Sequence, residues 1–247
     1  HVKAYIIMED NGKTQSDLLL STHMKMGHFG MKATRLQLGL KAAKSSSDDP
    51  ICHSCEVTRA TASKMQGHTI KPRADAPLKR IWMDIGFGRM SKLVYQLYLD
   101  DHTRRLWATK LKDKSETLIK FIPLQHQLKN DKQPRKVAAI SKDNDATYTG
   151  NNWKIYAEDH AIKLEYYGPN RKEGPMEHAM QIVGGGARFS MHNGNAPESD
   201  MSNAIMHIIF RINQRPHMGN PNKRTPMSIW AGVNLKMSSR VLKGVFL

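Results

Sequence analysis

The sequence predicts an α/β fold, a mixed β-sheet flanked by helices and preceded by a small helical zinc-binding module. Three apolar, strand-like segments follow one another from residue 81 to residue 111, and helices and strands then alternate. Upstream, a histidine pair and a cysteine pair have the spacing of zinc ligands. At 247 residues the chain can bury one good-sized core and a small satellite module.

Composition divides the chain into four parts. Residues 1–20 combine a short apolar stretch with a turn-like Asp10-Asn-Gly and predict an N-terminal arm, strand-like or extended, that leads into a helix. Residues 21–57 predict short helices interrupted by glycines, the zinc-binding domain. The polar, basic residues 58–77 predict a linker, and residues 78–247 a main domain with C-terminal helices.

The main domain opens on a strand with an acidic residue in it. Apolar residues from Ile81 to Phe87 alternate with Trp82, Asp84 and Gly86, which predicts a half-buried strand with Asp84 opposite the aliphatic set. Strands at 93–99 and 106–111 follow, then a helix at 115–128 that Pro123 should kink. The remaining elements are a strand at 137–140 that ends just before Asp143, a helix at 151–160, a strand at 162–166 and a helix from Pro175 onward.

Charge and cysteine content restrict the function. The net charge of +16 favours a polyanionic partner, because Lys and Arg release counterions from nucleic-acid phosphates. Two closely spaced cysteines do not make a secreted disulfide framework, so we expect an intracellular protein. No apolar run is long enough for a membrane span, and we expect no membrane partner.

The strongest local motif is the quartet His23, His28, Cys52 and Cys55. His-x4-His and Cys-x2-Cys are spacings of closed structural zinc sites, in which nitrogen and sulfur ligands complete a tetrahedron. The alternative is a pair of ordinary histidines with redox-active or free thiols. His53 and His68 are rival ligands.

Three acidic residues form a candidate site for hard cations. Asp84, Asp143 and Glu177 can meet at one sheet edge, and Mg²⁺ prefers oxygen ligands. Taken alone, each aspartate could be a solvated, capping or turn residue. Pro175 suits the first helical position and so places Glu177 in a first turn, while Glu173 is a rival ligand.

These motifs together resemble integrases of copia-type LTR retrotransposons and, more distantly, of retroviruses. The likeness runs from about residue 18 to 247 and includes Met26-Gly-His, Tyr98-Leu-Asp-Asp-His-Thr-Arg-Arg-Leu-Trp, Lys112-Asp-Lys-Ser-Glu, Arg211-Ile-Asn-Gln-Arg-Pro and Thr225-Pro-Met-Ser-Ile-Trp-Ala-Gly. The resemblance implies a ribonuclease H-like core with a five-stranded sheet. It also implies one structural Zn²⁺ on the quartet, and two Mg²⁺ or Mn²⁺ ions on the triad Asp84, Asp143 and Glu177.

The same resemblance implies an activity and its setting. A polynucleotidyl transferase of this type processes element DNA 3′ ends and joins them to target DNA by two-metal in-line phosphodiester transfer. It would act as a homo-oligomer, a dimer or tetramer, on DNA ends and target. It would work in the nucleus, with a cytoplasmic particle stage.

The chain also departs from the family pattern. Asn144 is followed by Asp145 instead of glycine, His178 replaces the usual arginine, and the segment between Asp143 and Glu177 is shorter. Gly184-Gly-Gly should interrupt a long helix, at about 1 kcal/mol per glycine relative to alanine. Two alternatives therefore stand beside the integrase: a catalytically impaired DNA-binding or assembly module, and a ribonuclease H-like nuclease without joining activity.

Basic side chains supply candidate DNA contacts. They are Lys163, Arg171, Lys172, Arg104, Arg105 and Lys142. Phosphate contacts would position DNA without reading its sequence, whereas the alternative for each residue is a solvated face. The four tryptophans lie in apolar patterns and are predicted to be core residues rather than base-stacking platforms.

Overall fold

The computed structural model describes residues 14–41, 43, 49–55, 72–88, 93–131, 135–143, 148, 150–167 and 174–233. The predicted arm up to residue 13, and the predicted linker from 58 to 71, lie outside the described residues. The boundaries of the four predicted parts therefore stay predictions. None of the helices in the described segments combines the length and hydrophobicity that a membrane-spanning helix needs.

The described part of the N-terminal module contains two short helices and a helical turn at residues 53–55. Helix α1 spans Gln15–Lys25 and begins with a capping box, in which the Thr14 hydroxyl and the Asp17 carboxylate satisfy each other's backbone N–H groups. Helix α2 spans Met31–Gln37. Between them the chain turns through Gly27 and His28, which have φ of +81° and +60°.

A five-stranded mixed sheet forms the centre of the molecule, as predicted. Its strands are β1 (Ile81–Phe87), β2 (Val94–Asp100), β3 (Leu106–Leu111), β4 (Ala139–Asp143) and β5 (Lys163–Tyr167). Their spatial order is β3-β2-β1-β4-β5. Strands β1, β2 and β3 pair antiparallel, whereas β4 pairs parallel with β1 and with β5.

Among the described residues, five α-helices with given bounds cover or flank this sheet. They are α3 (Thr117–Lys129), α4 (Asn151–Asp159), α5 (Gly174–Asn193), α6 (Met201–Gln214) and α7 (Pro226–Trp230), with 3₁₀ turns at Lys114–Glu116, Glu198–Asp200 and Pro221–Lys223. The alternation of β1 shows which helices lie on which face. Trp82 belongs to the core formed with α5 and α6, whereas Ile81 and Met83 belong to the core formed with α3 and α4.

The N-terminal module shares the first of these two cores. Met26 and Phe29 pack in one buried cluster with residues of α5 and α6 such as Val183, Ile205 and Ile208. The module is therefore docked on the face of the main domain that carries α5. This contact fixes the position of the zinc-ligand candidates relative to the sheet.

The structure differs from the sequence prediction in the bounds of one strand and in the continuity of two helices. Strand β4 begins at Ala139 and includes Asp143, so the predicted strand at 137–140 was placed too early. Helix α3 continues on both sides of Pro123. The predicted interruption at Gly184 is wrong, since α5 runs unbroken from Gly174 to Asn193.

Close helix packing explains one of the three consecutive glycines in α5. A Cβ atom on Gly186 would lie 3.1 to 3.3 Å from three side-chain carbons of Ile208 on α6. The helix therefore gains a close approach to its neighbour that offsets the propensity it loses. Sequence periodicity cannot reveal this gain, because it depends on a residue that lies outside the helix.

Candidate metal centres

The predicted zinc quartet is assembled in a buried pocket of the N-terminal module. His23 Nε2 lies 3.1 Å from Cys55 Sγ, and His28 Nδ1 lies 3.3 Å from Cys52 Sγ and 3.6 Å from Cys55 Sγ. The four ligand atoms all lie within 4.8 Å of one another. The exposed fractions of the four side chains are 7% or less.

The zinc-ligand candidates lie on three different local structures. His23 lies in the last turn of α1, and its Nδ1 is 2.6 Å from the Phe29 carbonyl oxygen, which directs Nε2 toward the cysteines. His28 follows in the left-handed turn after α1. The cysteines flank a helical turn, closed by a hydrogen bond from the Cys55 N–H to the Cys52 carbonyl.

The main domain contributes to the surroundings of this quartet. Asn193, the last residue of α5, has its side-chain amide 2.6 Å from His28 Nε2, and the Ser54 hydroxyl donates to that side chain at 2.6 Å. Phe189 stacks on the His28 ring, with 5.0 Å between centroids. When His28 Nδ1 binds a metal, Nε2 carries the proton, so the Asn193 amide oxygen must then face it as acceptor.

The residues present fit a structural zinc ion. Two imidazole nitrogens and two cysteine sulfurs in a buried cluster are a closed Zn²⁺ donor set, and both histidines have hydrogen-bond partners on their second nitrogen. His53, although it lies between the cysteines, is exposed and outside the cluster. The other rival, His68, lies outside the described residues.

The backbone brings two of the predicted acidic residues to one edge of the sheet. Strands β1 and β4 are parallel, with Trp82 opposite Ser141 and Met83 opposite Lys142. Continued by one residue, this register sets Asp84 beside Asp143. Because side chains alternate along a strand, both belong to the face of Trp82, which α5 and α6 cover.

Glu177 approaches that face from α5. It lies in the first turn of the helix and is half-buried, and its Oε2 is buried without a hydrogen-bond partner among the described residues. An orphaned carboxylate oxygen is costly unless a cation or donor completes it. This observation fits a metal ligand.

The three carboxylates are not gathered as tightly as the zinc ligands. Asp84 is half-buried and its Oδ1 accepts the Ile85 N–H at 2.7 Å, while Asp143 is exposed. Within the described ranges, the zinc quartet alone has three or more metal-ligating atoms all within 4.8 Å. The roles of Asp84, Asp143 and Glu177 thus stay predictions, and Glu173 lies outside the described residues.

Two residues near Asp84 were not anticipated from the sequence. Tyr95 packs across Gly86, where an added Cβ would lie 2.2 Å from the tyrosine ring. Burial raises the Tyr95 pKa, Arg188 opposes the rise and Asp84 adds to it. Tyr95 is therefore within electrostatic reach of both Asp84 and Arg188. The available signal was a glycine two residues after the aspartate in a strand.

The structure contradicts the prediction that Lys142 contacts DNA. Its side chain is fully buried, donates to the Tyr148 carbonyl at 2.9 Å and lies 4.1 Å from the centroid of the Trp153 ring. Strand alternation turns it away from Asp143, onto the α3 and α4 face. A lysine in this aromatic pocket does not reach DNA phosphates.

The other basic candidates differ in accessibility. Lys163 is exposed and lies 3.4 Å from Glu165, whereas Arg104 forms a 3.1 Å ion pair with Asp101. Arg105 stacks between two tryptophan rings, 4.9 Å from the centroid of Trp107 and 4.7 Å from that of Trp230. Arg171 and Lys172 lie outside the described residues. Trp82, Trp153 and Trp230 are buried, which confirms them as core residues.

Comparison with known proteins supports the same architecture. No family model matches the chain. A segment of 121 residues, 48% of this chain, is 26% identical to the retrovirus-related Pol polyprotein from transposon TNT 1-94 of Nicotiana tabacum. That segment spans only 9% of the polyprotein.

Two solved structures share the fold. The catalytic core domain of HTLV-2 integrase, in complex with magnesium in a trimeric form, has a TM-score of 0.50 and 19% identity, over 64% of this chain and 99% of that one. The simian T-cell lymphotropic virus intasome in complex with PP2A regulatory subunit B56 gamma has a TM-score of 0.53 and 20% identity, over 75% and 65%.

The sheet and its helices have the ribonuclease H-like fold of retroviral integrase catalytic cores, and a buried His₂Cys₂ quartet that could hold zinc lies in the N-terminal module. The resemblance to retrotransposon integrases, predicted from the motifs, is confirmed by the transposon polyprotein together with these folds.

Proposed function

We propose that the protein is a retrotransposon integrase, a polynucleotidyl transferase that processes DNA 3′ ends and joins them to target DNA. The observation that carries the proposal is the register of β1 and β4, which sets Asp84 and Asp143 side by side on the face approached by Glu177 of α5. The zinc quartet and the net charge of +16 support it.

The three carboxylates would act together at the sheet edge. Divalent ions held by Asp84, Asp143 and Glu177 would lower the pKa of an attacking water or 3′-hydroxyl and stabilise the developing charge. The chain itself supplies rigid placement, since two of the acids lie on paired strands and the third lies in the first turn of a helix packed on the sheet.

The proposed partners follow from charge and geometry. DNA ends and target would lie along the basic surface that includes Lys163, with Arg171 and Lys172 close in sequence to Glu177. Joining two ends to one target favours a homo-oligomer, a dimer or tetramer. The proposed setting is the nucleus, with an earlier stage in a cytoplasmic particle.

Strand transfer with matched variants tests the proposal. Purified protein, a short double-stranded DNA end, a plasmid target and Mg²⁺ should give joined products. Asp84→Asn and Glu177→Gln should each abolish them, because a neutral amide is a poor Mg²⁺ ligand. Asp159→Asn, at an exposed acid that ends α4, is the control and should join DNA normally.

Two outcomes would replace this function. Cleaved DNA without joined product would indicate a ribonuclease H-like nuclease. DNA binding without cleavage would indicate an impaired assembly module, which the separation of the three carboxylates and His178 beside Glu177 favour as second candidate. Undiminished joining by Asp84→Asn would contradict the assigned site directly.

A further inference from the structure

A cavity of about 360 Å³ lies between the first turns of α5, the end of α6 and the strands β2 and β3. Its lining includes Pro175 and His178, which flank Glu177 in the sequence, but none of the three acidic residues and none of the zinc quartet. Leu99 and Leu106 line it from the sheet, Ala179 and Ile182 from α5, and Ile212 from α6. A space of this size with apolar walls has the dimensions of a small-ligand site. We call it the Arg215 cavity.

The polar residues that line this cavity are all basic or potentially basic. They are Arg104, His178, Arg215 and His217. None of the lining residues, all of them in the described part of the chain, is acidic. The cavity thus combines an apolar body with a cationic wall.

Arg215 is the least compensated of these groups. Its Cζ lies 3.4 Å from the centroid of the Phe29 ring, and its Nε is buried without a hydrogen-bond acceptor among the described residues. Burial lowers its pKa to about 10, so the guanidinium remains charged at neutral pH. A buried Nε–H of a charged guanidinium is costly without an acceptor, and an anion that accepted this hydrogen bond would remove that cost.

The neighbouring groups do not neutralise Arg215. Arg104 is 3.1 Å from Asp101, and Asp101 is also 3.1 Å from Arg80, so that carboxylate is shared by two cations. Burial and the surrounding cations lower the pKa of His217 to about 4. A neutral imidazole can still donate one hydrogen bond to a ligand.

We propose that the Arg215 cavity binds a small oxyanion ligand, a carboxylate or phosphate group carried on an apolar body. The guanidinium of Arg215 offers paired N–H donors to the oxyanion, held in place by the Phe29 ring. The aliphatic side chains around Ile182 contact the body. This proposal goes beyond the proposed strand transfer and uses none of the metal-ligand candidates.

Binding of simple probes to the full, zinc-loaded chain tests the site. The probes are phenyl phosphate, benzoate and neutral benzyl alcohol, and ligand-detected NMR gives their dissociation constants. At least one anionic probe should bind tenfold or more tightly than benzyl alcohol, and the better anion distinguishes phosphate from carboxylate ligands. Equal binding of all three, or no binding at 10 mM, would overturn the proposal.

Matched variants locate the binding. Arg215→Gln should remove the preference for the anion, whereas Arg105→Gln should retain it, since Arg105 is also stacked on aromatic rings but lies outside the cavity. Ile182→Trp should fill the cavity and weaken every probe. Unchanged probe affinity in Arg215→Gln would refute the site, and zinc content and melting temperature verify that each variant is folded.

One further variant tests whether the chain supplies its own anion. Glu173 precedes α5 in sequence and lies outside the described residues. Glu173→Gln should leave the probe affinities unchanged. Tighter probe binding in this variant would mean that Glu173 is the acceptor, and the cavity would then be an internal ion pair instead of a ligand site.

Discussion

The two candidate metal centres lie toward opposite ends of the same helix and are organised to different degrees. Asn193, at the end of α5, contacts a zinc-ligand candidate, whereas Glu177 lies in its first turn, about 24 Å away along a helix that rises 1.5 Å per residue. The zinc quartet is closed and buried, with hydrogen-bond partners on both histidines. At the acidic edge, the strand register sets Asp84 beside Asp143. Among the described residues, however, the carboxylates do not form a cluster of ligand atoms within 4.8 Å.

This difference follows from the chemistry of the donors. Neutral imidazoles and thiols can pack into an apolar pocket next to Phe189, so their positions are fixed by burial. Carboxylates repel one another, and burying them unpaired is costly. The backbone of a sheet edge can therefore place Asp84 and Asp143 side by side. Their carboxylates approach one another closely only when a cation balances their charge.

The largest expected effect is at the zinc quartet. Cys52→Ser should remove zinc binding and unfold the N-terminal module, because structural zinc contributes an apparent ~10 to 16 kcal/mol in zinc-finger peptides. Elemental analysis and thermal melting measure the result. His53→Ala, an exposed neighbour, is the control and should retain one zinc per chain. Full zinc content in Cys52→Ser would contradict the assigned ligand set.

A smaller effect tests whether the main domain supports the zinc site. Asn193→Ala removes the partner of His28 Nε2, and loss of such outer partners typically weakens metal affinity by about 10- to 100-fold. Chelator competition measures the affinity. Asn203→Ala, exposed on α6, should leave it unchanged. Equal zinc affinities of wild type and Asn193→Ala would mean that the contact between the N-terminal module and α5 does not strengthen zinc binding.

Mg²⁺ binding at Asp84, Asp143 and Glu177 should stabilise the folded chain by less than zinc binding does. At Mg²⁺ concentrations tenfold above Kd, binding would stabilise the folded chain by about 1.4 kcal/mol. Thermal shift measurements should show this rise in wild type and Asp159→Asn, and its loss in Asp143→Asn. The same shift in all three proteins would show that Mg²⁺ does not bind at Asp143.

Local patterns predicted the parts of this molecule that depend on local sequence. The alternation from Ile81 to Phe87 predicted β1 with its bounds, and the spacing of His23, His28, Cys52 and Cys55 predicted their cluster. Features set by distant partners were not predictable. The burial of Lys142 depends on Trp153, and the position of the Arg215 guanidinium depends on the ring of Phe29, far away along the chain.

The glycines of α5, between the two centres, should give the smallest effects and opposite signs. A Cβ at Gly185 would meet Phe189 Cε2 at 3.9 Å, an ordinary contact, so Gly185→Ala should stabilise the fold by about 0.5 to 1 kcal/mol through helix propensity. At Gly186 the added methyl would meet Ile208 at 3.1 Å, and overpacking typically costs about 1 to 3 kcal/mol. Urea unfolding measures the difference in stability between Gly185→Ala and Gly186→Ala.

Ile208 also connects α5 with the zinc quartet. The Ile208 side chain also faces Gly27, where a Cβ would lie only 2.5 Å from Ile208 Cδ1, next to His28. Gly186→Ala should therefore weaken zinc binding slightly as Ile208 is displaced, whereas Gly185→Ala should not. Adding Ile208→Val to Gly186→Ala should restore part of the stability and of the zinc affinity together, because the shorter side chain removes the 3.2 Å contact of Cδ1 but keeps that of Cγ2 at 3.1 Å. Equal stabilities of the two glycine variants would show that α5 and α6 are not in the close contact that joins the two centres.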